Sequence, residues 1–409
     1  MTSRGAIVAA IALGAAQQSA LASWHFDFGA KAQVTADTSY TSERGYGFDL
    51  GSKATCGDHS CVTDTPFFFS VRLPEGNYNV TLPLGDERAA SSTTVKAESR
   101  RLMIERVETA PGEFVTKTIT VNIRTPRIST GGEVKLKSRE IGALDWDDKV
   151  TFEFNGSHPA IRAIDIVEAG DAIAVYLVGD STVTDQPAEP WNSWGQMLTR
   201  FFRPGVAIAN HAESGESLKS SLHARRLDKV LSIIKPGDYL FIQFGHNDQK
   251  ERGEGVGAFT TYKADLKVYV NEARKRGAIP VLITSMNRRT FDTLGKITNS
   301  LGDYPAAVRQ TAKEENVALI DLNAMSKLFY EALGPDDSKK AFVDNTHHNN
   351  YGSYELAKCV VEGIKANHLA IAKFLLSDAP PFDPAHPDPL DTFAVPASPE
   401  SSAAKPDGN

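Results

Sequence analysis

Between Trp24 and about Val167 the apolar positions come in short runs, most of them alternating with polar ones or rich in β-branched and aromatic residues. Such runs fall at 67–73, 78–82, 116–123, 134–137 and 149–154, with Gly, Pro, Asn and Asp between them. This pattern predicts short strands joined by tight turns, with 160–167 as the closing strand. Many such strands make a β-sandwich or jelly roll. After Gly170 the pattern changes. Apolar runs at 172–178, 206–209, 238–244, 279–284 and 317–320 do not alternate, and they are separated by helical stretches at 194–202, 218–234, 260–276 and 304–315. Unalternating strands separated by helices predict a parallel sheet buried on both faces. Ligands of such sheets bind beyond the carboxyl ends of the strands. The residues just past each strand therefore carry the functional question.

The two ends of the chain follow neither pattern. Arg4, the apolar stretch 6–16 and Ala20-Leu21-Ala22 have the charge, length and small-x-small signal of a cleaved leader. The expected organisation is a signal peptide at 1–22, a β-sandwich accessory domain at 23–169, a catalytic domain at 170–376 and a tail at 377–409. Eight of the 33 tail residues are proline, which predicts a strap fading into a disordered end. A secreted chain puts Cys56 and Cys61 in an oxidising compartment, where they form a local disulfide or remain two thiols. Cys359, in an apolar helical stretch, is expected to be buried and inert.

Composition narrows the partners. With 41% hydrophobic and 23% charged residues the chain is an ordinary globular protein. A net charge of −7 lacks the basic footprint of a nucleic-acid binder. No interior apolar run reaches the roughly 18 residues that a membrane span needs. Three cysteines are too few for a disulfide scaffold. Oligomeric state is left open.

The strand ends hold the chemistry. Gly179-Asp180-Ser181-Thr182 follows the first sheet strand and offers a serine that is either a nucleophile or a helix cap. Gly215, after the second strand, is a turn glycine or an open backbone N–H donor. Asn247, in Gly245-His246-Asn247-Asp248 after the third, makes an Asx-turn or aims its amide at a developing oxyanion. Asp344 and His347 sit three apart before the last helix, where the carboxylate can hold the imidazole tautomer. The alternative is a metal pair drawing on Asp344, His347, His348 and His246 or Asp248. It lacks the spacing of known ligand sets. Val183 excludes the Gly-x-Ser-x-Gly elbow. Nucleophile, base, orienter and oxyanion donors in one order are what serine hydrolysis requires.

These four blocks resemble those of the SGNH (GDSL-type) hydrolases. Asn192-Ser-Trp-Gly-Gln-Met197, the run from Phe241 to Lys250, and Asp344-Asn-Thr-His347 with Tyr351-Gly352 resemble the rhamnogalacturonan acetylesterase branch. The resemblance covers about residues 172 to 375. It implies a three-layer αβα, flavodoxin-like fold and deacetylation of an acetylated pectic polysaccharide without metal or cofactor. Ser181 would be the nucleophile, His347 the base and Asp344 its orienter. The Ser181 and Gly215 amides and the Asn247 side chain would form the oxyanion hole, and His348 has no assigned role. The N-terminal sandwich resembles galactose-binding-like modules. In the second block Glu216 replaces an arginine frequent among relatives, and a carboxylate facing the cleft would repel acidic pectin. Arg288 and Arg289, on the expected rim, are candidates to meet galacturonate carboxylates. Trp191 is a candidate sugar-stacking platform, and Trp194 is platform or core. The competing readings are an SGNH esterase for xylan, peptidoglycan or lipid esters, and a non-catalytic carbohydrate-binding protein.

Overall fold

The computed structural model describes residues 22–379 and 381–407, so the leader read from residues 1–22 lies outside it except for Ala22. The N-terminal part is all-β, built from two antiparallel sheets. One runs Ser23–Asp27, Ala163–Glu168, Gly76–Leu84, Ala160–Ile161, Cys61–Val62 and Thr55–Cys56, with Val115–Ile123 also paired to Gly76–Leu84. The other runs Tyr46–Asp49, Phe67–Arg72, Lys149–Asn155, Ser91–Ala97 and Arg101–Thr109. Their inner faces meet in an aromatic core that includes Phe26, Phe28, Phe48, Phe67, Phe69 and Phe154. Cys56 and Cys61 oppose one another across a short hairpin and are disulfide-bonded. Cys359 is free and buried.

The strand expected at 134–137 does not form. Its apolar side chains turn into a small local cluster with Ile128 and Trp146. The Lys135 N–H donates outside the sheets, to Ala224 O at 3.0 Å in the second domain. The expected strand 160–167 is interrupted at Arg162. Ser91–Ala97 and Arg101–Thr109 escaped the hydrophobic pattern because their buried positions include Thr93, Lys96 and Arg101.

The second part contains five parallel strands: β1 (Ile173–Gly179), β2 (Val206–Asn210), β3 (Tyr239–Gln243), β4 (Ile279–Ile283) and β5 (Ala318–Ile320), in the order β2-β1-β3-β4-β5. Successive β1 residues serve opposite cores: Val175 and Leu177 face one, Ala174, Tyr176 and Val178 the other. Both faces being dry explains why the strands do not alternate. Helices α1 (Trp194–Leu198), α6 (Leu322–Asp337) and α7 (Asn350–Ala366) cover the first face. Helices α2 (Leu218–His223), α3 (Arg226–Leu231), α4 (Lys263–Lys275) and α5 (Tyr304–Glu315) cover the second. The result is the three-layer doubly wound fold, with its topological switch at β1 and β3. The single helix expected at 218–234 is split at Arg225, which takes a left-handed conformation with φ of 62°.

The two parts share a charged seam. Arg101, from the β-domain and fully buried, donates to Asp185 at 2.7 Å and to Asp145 at 3.3 Å. Arg226 of α3 makes a two-pronged bond to Glu140, at 3.0 and 2.5 Å. The proline-rich tail is not loose but lies along this seam. Lys96 donates to Pro396 O at 2.7 Å, the Ser398 N–H to Glu189 at 2.9 Å, and the Glu189 N–H to Glu400 O at 2.9 Å.

Removing one partner of a buried pair strands the other charge. Arg101→Met is therefore expected to cost about 3–5 kcal/mol of unfolding free energy in a denaturant titration. A midpoint equal to that of the parent would show that the seam does not contribute stability.

Candidate active site

At the end of β1 the chain turns sharply. A side chain on Gly179 would meet Gln243 O at 2.7 Å, so only glycine lets β1 and β3 lie this close. Asp180 then folds the turn back on itself. Its carboxylate accepts from the Thr182 N–H at 2.9 Å, the Thr182 hydroxyl at 2.7 Å and the His246 ring at 3.1 Å. Burial pushes the Asp180 carboxyl up, but His246 and the two Thr182 donors outweigh it and hold it below the ordinary carboxylate range. Ser181 is thereby fixed at the tip of the turn, 3% exposed.

His347 arrives from the loop ahead of α7. That helix is capped by Asn349, whose side chain accepts from the Gly352 N–H. Asp344 anchors the loop: one carboxylate oxygen accepts from the Thr346 and His347 N–H groups, both at 2.7 Å. The other oxygen lies 3.0 Å from His347 Nδ1, and His347 Nε2 lies 2.8 Å from Ser181 Oγ. With Nδ1 facing a carboxylate, the ring proton belongs there and Nε2 is left to accept from the serine. Burial would raise the Asp344 carboxyl, but the His347 ring and the two backbone N–H groups together hold it well below its usual range. Trp191 stands edge-on against the His347 ring, with centroids 5.6 Å apart.

The remaining blocks close around the serine. Gln186 Nε2 donates to Ser181 O at 2.7 Å and to Ser214 Oγ at 3.2 Å, joining the serine turn to the loop after β2. In that loop Gly215 takes a φ of +77°, a conformation that other residues enter only under strain. Asn247 Nδ2 donates to Glu216 O at 3.0 Å, while its Oδ1 accepts from Lys250 at 3.2 Å. This pair of contacts sets which end of the amide is the nitrogen. Neither the Ser181 nor the Gly215 backbone N–H donates to another group among the described residues.

Ser181, Gly215, Asn247, Asp344 and His347 are thus brought into one hydrogen-bonded neighbourhood. Three other expectations change. Arg288 does not stand open on a rim: its guanidinium donates to Thr346 Oγ1 at 3.2 Å and His246 O at 3.2 Å, tying the Asn247 loop to the His347 loop. Arg289 stays part-exposed and donates to Asn345 of the His347 loop at 2.8 Å. Trp191 is 5% exposed and donates to Ser402 O at 3.0 Å under the C-terminal strap, so its ring is packing rather than an open platform. Trp194 is core, bonded to Gln243 at 2.8 Å. Glu216 does not face the cleft as a bare charge. It is 2% exposed, lies 3.1 Å from Lys137 Nζ and accepts from Ser220. His348 points away from the serine, to Tyr330 at 2.8 Å. Lys137, Arg139 and Gln186 carry no motif, and Lys250 ends the run from Phe241 without a role expected of it. The one sequence trace of Lys137 is the run at 134–137, whose pattern predicts a strand, and Arg139 lies beyond it.

Residues 177–353 match the GDSL-like lipase/acylhydrolase family. The chain is 43% identical over 222 residues to rhamnogalacturonan acetylesterase RhgT of Bacillus subtilis, an alignment taking in 50% of this chain and 95% of the relative. It is 38% identical over 213 residues to a probable rhamnogalacturonan acetylesterase, YesY, of the same organism, covering 50% of this chain and 98% of that one. An uncharacterized esterase from that organism, YxiM, is 27% identical over 379 residues, which covers 85% of this chain and 92% of its own. Among the described residues no helix is long and apolar enough to cross a membrane.

The buried His348 ring supplies a pH dependence. Burial, followed by its neighbours His347 and His246, pushes it down to about 3. A histidine depressed on folding contributes stability that is complete above its unfolded value near 6.5 and is lost as pH falls towards 3. Unfolding free energy should drop below pH 6.5 by up to about 1.4 kcal/mol per pH unit from this ring. His348→Gln should flatten that slope in urea titrations at pH 7, 6 and 5. An unchanged slope would mean the ring is protonated in the fold.

Proposed function

The chain belongs to the GDSL-like lipase/acylhydrolase family and is an esterase, and on that premise we propose that it removes O-acetyl groups from rhamnogalacturonan by a Ser-His-Asp acyl-enzyme mechanism. The observation that carries the reading is the continuous line Asp344–His347–Ser181, with contacts of 3.0 and 2.8 Å.

In this mechanism Ser181 Oγ attacks the acetyl carbonyl carbon as its proton passes to His347 Nε2. Asp344, held ionised, stabilises the imidazolium that results. The carbonyl oxygen becomes an oxyanion facing the Ser181 and Gly215 N–H groups and Asn247 Nδ2. One donor of this kind is worth about 2.7–4 kcal/mol. Collapse breaks the ester bond, and the sugar oxygen leaves with the proton from His347. Water, deprotonated by the same nitrogen, then attacks the acetyl-serine. Acetate is released and the hydroxyl restored.

The named activity of the two more similar relatives supports a pectic substrate. So does the pairing of Glu216 with Lys137, which removes the repulsion that an unpaired carboxylate would exert on an acidic polymer. The Cys56–Cys61 disulfide supports secretion into an oxidising compartment. Two antiparallel sheets around one core support reading the N-terminal domain as a galactose-binding-like jelly roll.

The test is acetate release from acetylated rhamnogalacturonan, xylan and peptidoglycan, with Ser181→Ala measured beside the parent. Release from rhamnogalacturonan alone, abolished in a folded Ser181→Ala, is the expected result. Release from another polymer only would keep the mechanism and overturn the substrate. Comparable turnover by Ser181→Ala would end the serine reading.

A further inference from the structure

The oxyanion loop of this enzyme is gripped from the other domain. Lys137 Nζ donates to Ser214 O at 2.5 Å, and Arg139 donates to the same oxygen at 3.3 Å. Both cations come from the β-domain, Lys137 from the run that failed to become a strand and Arg139 from just beyond it. Ser214 O and the Gly215 N–H belong to one peptide unit. That unit is planar and trans, so its carbonyl and N–H point in opposite directions. Two cations on the carbonyl therefore fix where the Gly215 N–H points, away from the β-domain. The constraint matters at this position because glycine tolerates either orientation of the preceding peptide. A flip would turn a carbonyl oxygen towards the developing negative charge.

We propose that Lys137, assisted by Arg139, is a positioning residue for the oxyanion hole, supplied in cis by the N-terminal domain. It acts through the Ser214–Gly215 peptide and does not touch substrate. The inference rests on the reading of Gly215 as an oxyanion donor. Charge-assisted bonds to the carbonyl also polarise the N–H at the far end of the same unit, strengthening it as a donor. The grip extends along the loop. Lys137 lies 3.1 Å from the Glu216 carboxylate, Arg139 pairs with Glu213, and the Glu216 carbonyl orients the Asn247 amide. The N-terminal domain thereby enters the chemistry of a site to which it contributes no reacting group.

Lys137 is 30% exposed but its partner Glu216 is buried, so a second variant removes that charge as well. The experiment compares full-length parent, Lys137→Met, Lys137→Arg, Lys137→Met/Glu216→Gln and Ser181→Ala, with kcat and KM on a small aryl acetate and melting temperature for each. Lys137→Met should lose about ten- to a hundred-fold in kcat, with KM within about twofold, and its melting temperature should fall because buried Glu216 loses its partner, a fall that Lys137→Met/Glu216→Gln reverses. Lys137→Arg should recover most of the loss. The double variant should stay slow, because the missing partner is the Ser214 carbonyl and not the Glu216 charge. Parental kcat in Lys137→Met, a change in KM alone, or full recovery of kcat in the double variant would overturn the proposal while Ser181→Ala is inactive. An active Ser181→Ala would instead bring down the serine reading, and the proposal with it.

Discussion

A serine hydroxyl is a poor nucleophile unless a base stands within hydrogen-bond reach, and here the candidate base comes from 166 residues further along the chain. Everything else in the catalytic half serves to bring those two atoms to 2.8 Å and keep them there. The parallel sheet places the serine turn and the asparagine block at adjacent strand ends. Helix α7, packed on the sheet and capped at Asn349, sets down the loop that carries His347. Asp180, Gln186 and Arg288 then lace the loops together, each spending its hydrogen bonds on a different pair of segments. None of them needs to meet substrate for the arrangement to require it.

The second domain is part of that lacing. Its seam with the catalytic half combines buried arginines and carboxylates with Leu102, which packs into the catalytic core. Buried ion pairs contribute little net stability, since desolvation offsets most of their attraction. They do penalise any other arrangement heavily, because a shifted partner leaves a bare charge in a dry seam. A seam of this kind holds orientation more than it adds affinity, and orientation is what the loop from 213 to 217 depends on.

The C-terminal strap acts on the other side. It crosses the seam, bonds to both halves and covers Trp191, whose ring braces His347. Asp407 comes within 3.9 Å of Arg139 and lies beside Gly215. Proline-rich sequence buries little apolar surface, which is why it reads as a fading tail. This strap is held instead by backbone groups meeting Lys96, Glu189 and Trp191, contacts that composition does not register.

The chain by itself determined the layer plan and which residues are candidates for the chemistry. Unalternating strands between helices require two dry faces, and reactive residue types placed just past strand ends require a site there. Ser181, Gly215, Asn247, Asp344 and His347 were legible because each sits in a short local pattern whose position on the sheet follows from periodicity. Tertiary structure decided which polar groups were already used. Arg288, Trp191 and Glu216 look available in sequence and are committed to internal partners in the fold. Lys137 looks like an alternating residue of a strand, Arg139 has no pattern at all, and both reach into the other domain. Local pattern encodes what a residue can do. Whether its hydrogen bonds are free to do it depends on partners tens to hundreds of residues away, which no local pattern carries.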